Sequence, residues 1–273
     1  MASSILKLNE YFNNRMPVIS GPCAVESEAI CMQVAEQMVQ IGQALNLPVV
    51  FKASYKKANR TSAHTFKGIE FEEAIAILLK VKEVFKIPVL TDVHETKEVE
   101  KVAEVADILQ IPAFLCRQTE LIQAAAATYK PVNIKKGQFA SVNTMKNAIE
   151  KAAVMGNNQV MLTERGSFFG YEDLVVDMRN IPLMKNLNVP VIYDVTHSVQ
   201  QPGKGGHFTG GLRQMITPLC DAALAAGADG IFVETHPDPA SALSDGTTML
   251  PLHELRAFVE RALSWWELKK LLN

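Results

Sequence analysis

PVVFKASYKKANRTS, residues 48–62, decides the fold. Pro48, Val49, Val50 and Phe51 are apolar on consecutive positions rather than alternate ones, which is how a strand buried on both faces reads, and Pro is tolerated at a strand's first residue. The run then empties into Lys52, Lys56, Lys57, Asn59, Arg60 and the hydroxyls of Thr61 and Ser62. A strand ending in so many donors is built to hold something anionic. The chain carries 27 Lys and Arg against 29 Asp and Glu, a formal net charge of -2, so this cluster is not part of a polycationic surface of the kind that grips nucleic acid. A small phosphorylated ligand is expected instead: arginine matches phosphate oxygens with a planar fork, and lysine brings a compact charge. The plain alternative for Lys56 and Lys57 is a solvated lysine-rich loop. Asn59 and Arg60 directly after them argue against it, because a solubilising loop has no need of mixed donors.

The same signature recurs along the chain. PVISGPC from Pro17, PVLTDVH from Pro88, ILQIPAF from Ile108, PVNIKKG from Pro131, VMLTERG from Val160, PVIYDVTH from Pro190 and GIFVETHP from Gly230 complete a set of eight candidate strands. Between them lie stretches with apolar residues at helical spacing, over 28–44, 71–85, 121–128, 144–155, 212–226 and 252–272. Eight strand-then-helix units in 273 residues indicate an α/β protein of the (β/α)8 TIM-barrel class, with a doubly wound open sheet as the alternative. No Pro-, Gly- or Ser-rich linker marks a boundary. One domain over 1–273 is expected, with 1–15 as an N-terminal extension capping the barrel floor.

Composition excludes several other classes. At 48% hydrophobic and 21% charged the chain can bury a sizeable core, and no run approaches the roughly 18 apolar residues of a membrane span. The first residues, MASSILKLNEYFNNR, lack the apolar core of a secretory signal and carry Glu10, which indicates a cytoplasmic protein. Cys23, Cys31, Cys116 and Cys220 are too few and too scattered for a disulfide framework and read as reduced thiols, three of them filling core space.

In a barrel of this class the active site lies at the carboxyl ends of the strands. The polar residues after the successive runs are Cys23 and Glu26; Lys52, Lys57, Asn59 and Arg60; Asp92 and His94; Gln110 and Arg117; Lys135 and Lys136; Arg165; Asp194 and His197; Glu234 and His236. The basic members Lys52, Lys57, Arg60, Lys136 and Arg165 come from three strands and would converge on one mouth, able to bind two phosphates or a phosphate and a carboxylate. The alternative is that each pairs with an acid on a neighbouring strand end. A thiol, an imidazole and two carboxylates, Cys23, His197, Glu234 and Asp245, make a plausible shell for Zn(II), Fe(II) or Mn(II). Their spacing is weak support: no CxxC pair or HExxH helix is present, and HETKE at His94 lacks the second histidine. The glycine-rich stretch 201–211, QPGKGGHFTGG, matches neither a P-loop nor a dinucleotide fingerprint, since no strand is expected to flow into it; it reads as a lid, with His207 exposed to solvent.

GPCAVES, FKASYKKANRTS, LTDVHE, LQIPAFLCRQTEL, NIKKGQF, TERGSFFGY, YDVTHSVQ and ETHPDPASALSDG occur in order on the strand ends. Together they resemble the 3-deoxy-D-manno-octulosonate 8-phosphate synthase (KDO8P synthase) family over nearly the whole chain. The resemblance implies a homotetrameric transferase that condenses phosphoenolpyruvate with D-arabinose 5-phosphate and water, for lipopolysaccharide synthesis, with no organic cofactor. It assigns Lys57, Gln110, Lys136 and Arg165 to phosphoenolpyruvate with Lys52 close by, and Asn59, Arg60 and Thr61 to the pentose phosphate. Thr61 stands where many relatives have Ser, which keeps the hydroxyl. Asp92, Ala113 and Phe114 join the implied substrate-binding set, and Arg117 is implied to reach into a neighbouring subunit's site. Catalytic roles fall to Lys57, Lys136, Arg165, His197 and Asp245. Cys23, where a metal-independent branch has Asn, and Gly137, where that branch usually has Pro, resemble the metal-dependent branch, whose implied ligands are Cys23, His197, Glu234 and Asp245. Two other readings stay open. A DAHP synthase using erythrose 4-phosphate would characteristically show KPRTS where this chain has KANRTS, and a non-catalytic sugar-phosphate-binding barrel would be expected to have lost site residues that are all present here.

Overall fold

The computed structural model of the protein describes residues 5–58, 66–170, 173–201 and 210–272. Eight parallel strands form a closed barrel: β1 (Val18–Gly21), β2 (Val49–Lys52), β3 (Val89–Asp92), β4 (Ile108–Ile111), β5 (Val132–Lys135), β6 (Val160–Glu164), β7 (Val191–Asp194) and β8 (Gly230–His236). Each pairs with the next in sequence, and β8 returns to β1 with Val18 opposite Ile231 and Gly21 opposite Glu234. The helices are α1 (Leu8–Phe12), α2 (Glu28–Leu45), α3 (Phe71–Phe85), α4 (Val99–Val105), α5 (Thr119–Ala127), α6 (Val142–Ala153), α7 (Asn180–Lys185), α8 (Ile216–Ala225) and α9 (Leu255–Leu271). Every residue of the eight strands is buried, so both the outward face, against helices, and the inward face are hidden from water.

Helix α2 shows how the outer ring is specified. Its buried residues Cys31, Val34, Ala35, Met38, Ile41 and Gly42 recur at three- and four-residue spacing, so one stripe faces the barrel. Ser27 caps the first turn by accepting from the Ile30 amide, and Asn46 ends the helix in the left-handed region at φ 52°.

Strand geometry places the site. Ile19, Val50, Leu90, Ile108, Met161, Ile192 and Phe232 cluster inside the barrel with Leu8 and Phe12 of α1, which thereby closes its amino-terminal end. Side chains two positions apart share a face. The next inward positions toward the carboxyl ends are therefore Gly21, Lys52, Asp92, Gln110, Asp194 and Glu234, with Thr163 beyond Met161 and Asn133 and Lys135 on β5. One step along the strand converts an apolar plug into a polar layer. Gly21 is required there, because a Cβ would lie 2.0 Å from the Lys52 carbonyl oxygen.

Some elements go beyond the sequence reading or correct it. Short helices α1, α4 and α7 lack the long periodic pattern that signals a helix. The segment following Arg165 folds as an antiparallel hairpin, Ser167–Gly170 with Asp173–Val175. The carboxyl-terminal helices begin later than expected, at Ile216 and Leu255, because 3-10 turns at Arg213–Met215 and Leu252–Glu254 precede them. A strand pair does lead into the glycine-rich stretch: Gln200–Gln201 lies antiparallel to Gly210–Gly211, and His207 falls outside the described residues. Among the described residues no helix is long and apolar enough to cross a membrane.

Candidate active site

The seam between β1 and β8 builds the first cluster. Cys23 follows Gly21 and Pro22, and its buried Sγ lies 3.0 Å from Asp245 Oδ2 and 3.0 Å from Ser244 Oγ. Cys23, Glu234 and Asp245 each offer a ligand atom within 4.8 Å of the others. Asp245 reaches this point with φ 49°, a left-handed backbone that Asp tolerates better than most residues, and accepts from Gln200 Nε2 at 3.1 Å. His197 stands at the edge, its Nε2 3.6 Å from Glu234 Oε2, while Asp194 Oδ1 accepts from its Nδ1 at 2.9 Å and so fixes the ring. Burial, followed by the Glu234 carboxylate, pushes the Cys23 thiol well up, against the pull of Lys57. Glu234 Oε2 has no hydrogen-bond partner among the described residues although it is fully buried. An orphaned carboxylate oxygen facing a thiol, a second carboxylate and an oriented imidazole is a donor set that fits a divalent metal ion.

Behind this cluster lies a layer of buried charge. Lys52 Nζ donates to Glu234 Oε1 at 2.9 Å and to the Cys23 carbonyl at 3.1 Å, and lies 3.8 Å from Asp92 Oδ2. Burial works against the Lys52 charge, but Glu234 and then Asp92 overcome it and raise its pKa. Burial likewise favours a neutral Glu234, yet Lys52 and His197 hold its carboxyl down at about 2. Asp92 also stays below the ordinary carboxylate range: burial works against its charge, but Lys52, His94, Lys57 and the Gln110 hydrogen bond together outweigh it. Ser54 Oγ donates to Asp92 Oδ2. Lys135 Nζ pairs with Asp194 Oδ2 at 2.6 Å and lies 4.2 Å from the centre of the Phe232 ring.

The third group lies just past β5 and β6. Lys136 is wholly buried; its Nζ donates to Ser167 Oγ at 3.0 Å and to the Gly166 carbonyl at 3.2 Å, with Glu164 Oε1 at 3.4 Å. Arg165 Nη2 donates to Gln200 Oε1 at 2.7 Å and to the His197 carbonyl at 3.0 Å, whereas its buried Nε has no partner among the described residues. Gly137 lets the backbone pass close to the β4 loop: a Cβ there would lie 2.9 Å from both the Ala113 carbonyl oxygen and Cys116 Sγ.

The candidates from sequence thus divide. Cys23, Lys52, Asp92, Gln110, Lys136, Arg165, His197, Glu234 and Asp245 lie in or beside the polar layer at the strand ends. Lys57 is half-buried and close enough to act electrostatically on Cys23, Asp92 and Glu234. Ala113 is buried beside Gly137. Phe114 is 46% exposed, and Arg117, whose carbonyl accepts from Lys151, is exposed. Asn59, Arg60 and Thr61 lie outside the described residues. The pairing of strand-end cations with neighbouring acids also occurs, at Lys52 and Lys136, and accompanies the convergence rather than replacing it. Sequence reasoning missed Ser54, Asn133, Thr163 and Gln200 as site-building residues. Asn133 carried a usable signal, a polar residue inside the otherwise apolar run PVNI.

A closed parallel barrel with a densely charged, thiol-bearing mouth defines a class of enzyme, and over residues 11–273 the sequence matches the DAHP synthetase I family, to which the chain belongs. Among its relatives is the 2-dehydro-3-deoxyphosphooctonate aldolase of Trichlorobacter lovleyi, 51% identical over 89% of this chain and 90% of that one. Proteins of the same name from Dichelobacter nodosus, 49% identical over 89% and 88%, and Rhodopseudomonas palustris, 47% identical over 98% and 95%, are similarly close.

Proposed function

We propose that this protein condenses phosphoenolpyruvate with D-arabinose 5-phosphate and water, giving 3-deoxy-D-manno-octulosonate 8-phosphate and inorganic phosphate for lipopolysaccharide synthesis. The names of the relatives support this reading. One structural observation carries it: Lys136 and Arg165, on adjacent strand ends, are both buried cations, and Arg165 keeps an N–H without a partner among the described residues. Such a pair suits a ligand with two anionic ends.

In the reaction, C3 of phosphoenolpyruvate attacks the aldehyde carbon of the open-chain pentose, water adds at C2, and phosphate leaves by C–O cleavage. Positive charge develops at C2 and negative charge at the aldehyde oxygen, so the pocket must stabilise opposite charges close together. Lys136 and Arg165 orient the phosphate and carboxylate, and orientation in well-aligned cases is worth about 7–11 kcal/mol. Lys57 and Gln110 contact the same substrate, while Asn59, Arg60 and Thr61 hold the pentose and its phosphate. Cys23, His197, Glu234 and Asp245 would hold a divalent ion such as Zn(II), Fe(II) or Mn(II), supplying Lewis-acid orientation of a substrate or water oxygen. Asp194 keeps the His197 ring turned toward Glu234.

Phosphate release measured with each acceptor tests the reading. Preference for arabinose 5-phosphate is expected; preference for erythrose 4-phosphate would favour the sister reaction, whose name the family carries. Tight binding of phosphoenolpyruvate without turnover in metal-replete protein would instead point to a non-catalytic barrel. Membership of the metal-dependent branch predicts that chelation abolishes activity and a divalent ion restores it, and full activity in metal-stripped protein would remove the role given to Cys23.

Self-association as a homotetramer belongs to the same proposal. Phe114, Phe139, Phe168 and Phe169 are exposed on segments past the strand ends that adjoin through the bond from the Phe168 amide to the Gln138 carbonyl and the close approach of Gly137 to Ala113. Such aromatics suit a subunit contact, from which Arg117 would reach a neighbour's site. Sedimentation should show the tetramer, and Phe169→Glu a smaller species. The buried free thiols Cys31, Cys116 and Cys220 suit a reducing cytoplasm.

A further inference from the structure

A chain of four buried side chains crosses the barrel beneath the mouth. Thr163 Oγ1 donates to Asn133 Oδ1 at 2.8 Å, Asn133 Nδ2 donates to Gln110 Oε1 at 2.8 Å, and Gln110 Nε2 donates to Asp92 Oδ1 at 2.6 Å. The four residues sit on β6, β5, β4 and β3, so each bond spans one pair of neighbouring strands. All are buried, so losing any one partner would leave a buried polar group unsatisfied.

The direction of the chain is set at one end. Asp92, held ionised beside Lys52 and receiving Ser54 on its other oxygen, can only accept. Gln110 must therefore turn its nitrogen toward Asp92 and its oxygen toward Asn133. Asn133 must answer with its own nitrogen, which leaves its oxygen for the Thr163 hydroxyl. Flipping either amide would set oxygen against oxygen at hydrogen-bond distance. The second N–H of Gln110 has no partner among the described residues.

We propose that Asn133 and Thr163 are positioning residues that lock the Gln110 amide with an N–H turned to the substrate, so that Gln110 donates to an oxygen of phosphoenolpyruvate. The identity of the ligand rests on the proposed function; the polarity rests on the chain alone. Neither Asn133 nor Thr163 touches substrate in this assignment.

Thr163→Val keeps the shape of the side chain and removes its donor, whereas Thr163→Ser keeps the donor. Calorimetric titration with phosphoenolpyruvate should give a Kd about tenfold higher for T163V and within about twofold of wild type for T163S, as expected for one lost hydrogen bond. Steady-state kinetics should show the same split, with KM for arabinose 5-phosphate nearly unchanged. If T163V does not fold, Thr163→Cys, with its weak donor, should give an intermediate rise. Equal affinity in wild type, T163V and T163S, or equal losses for both substrates, would overturn the positioning role. A wild-type protein that does not bind phosphoenolpyruvate would overturn the functional reading and this assignment with it.

Discussion

The ammonium of Lys52 lies 2.9 Å from Glu234 Oε1, on the opposite side of β1, and the two side chains are only 2% and 1% exposed. Removing one member would leave buried charge without a counter-ion. Lys52→Met should therefore lower stability by about 3–5 kcal/mol, read as a shift in the urea midpoint at constant slope. A loss below about 1 kcal/mol would mean that Glu234 and Asp92 had simply taken up protons.

Acid should weaken the protein through Asp92. Its carboxyl is held below the ordinary value because Lys52, His94, Lys57 and the Gln110 hydrogen bond together outweigh burial, so the stabilisation is complete above about pH 4 and disappears as the pH falls through the folded value. Asp92→Asn should flatten that part of the stability profile. Urea unfolding of both proteins in chelator between about pH 6 and pH 2 checks it; parallel profiles would rule Asp92 out as a source of the acid sensitivity.

Arg165→Lys keeps the charge and loses the guanidinium, whose Nη2 bonds both Gln200 and the His197 carbonyl. We expect kcat/KM for phosphoenolpyruvate to fall by roughly 10- to 100-fold, the scale of a lost charge-assisted hydrogen bond. Wild-type kinetics in this variant would show that only charge matters at the position.

Phe12→Ala opens a cavity under the barrel floor, where Phe12 packs with Leu8 and the interior residues of seven strands. A loss of about 3–5 kcal/mol is expected, with KM for both substrates unchanged. A change in KM with little loss of stability would place the control of the mouth at its far end.

Much of this was legible before the fold was known, for a physical reason. Strands buried on both faces leave continuous apolar runs, and all eight runs became barrel strands, PVVFKAS from Pro48 yielding Val49–Lys52. The long amphipathic helices α2 and α3 were equally plain. The hairpin after Arg165 was not, because SFFG and DLV are too short to declare a pattern. Within the site, cations at strand ends announce themselves by type. Thr163 does not, and Asn133 shows only as a polar residue inside PVNI, since their roles depend on which face of β5 and β6 points inward. The thiol and carboxylates are far apart in sequence, so only closure of the sheet brings Cys23, Glu234 and Asp245 within 4.8 Å.

That closure gives the first and last strands a shared task. Ser20 Oγ donates to the Val233 carbonyl across 213 positions of chain, and Cys23 and Glu234 continue the same seam toward the mouth. A ligand held by both would be a clasp: it would bind the shut barrel and not the open one, and so would tighten the join by mass action. Half-barrels made by cutting the chain would each carry part of that clasp and neither could fasten it. Capture of an ion at this seam would thus report that the last strand has found the first.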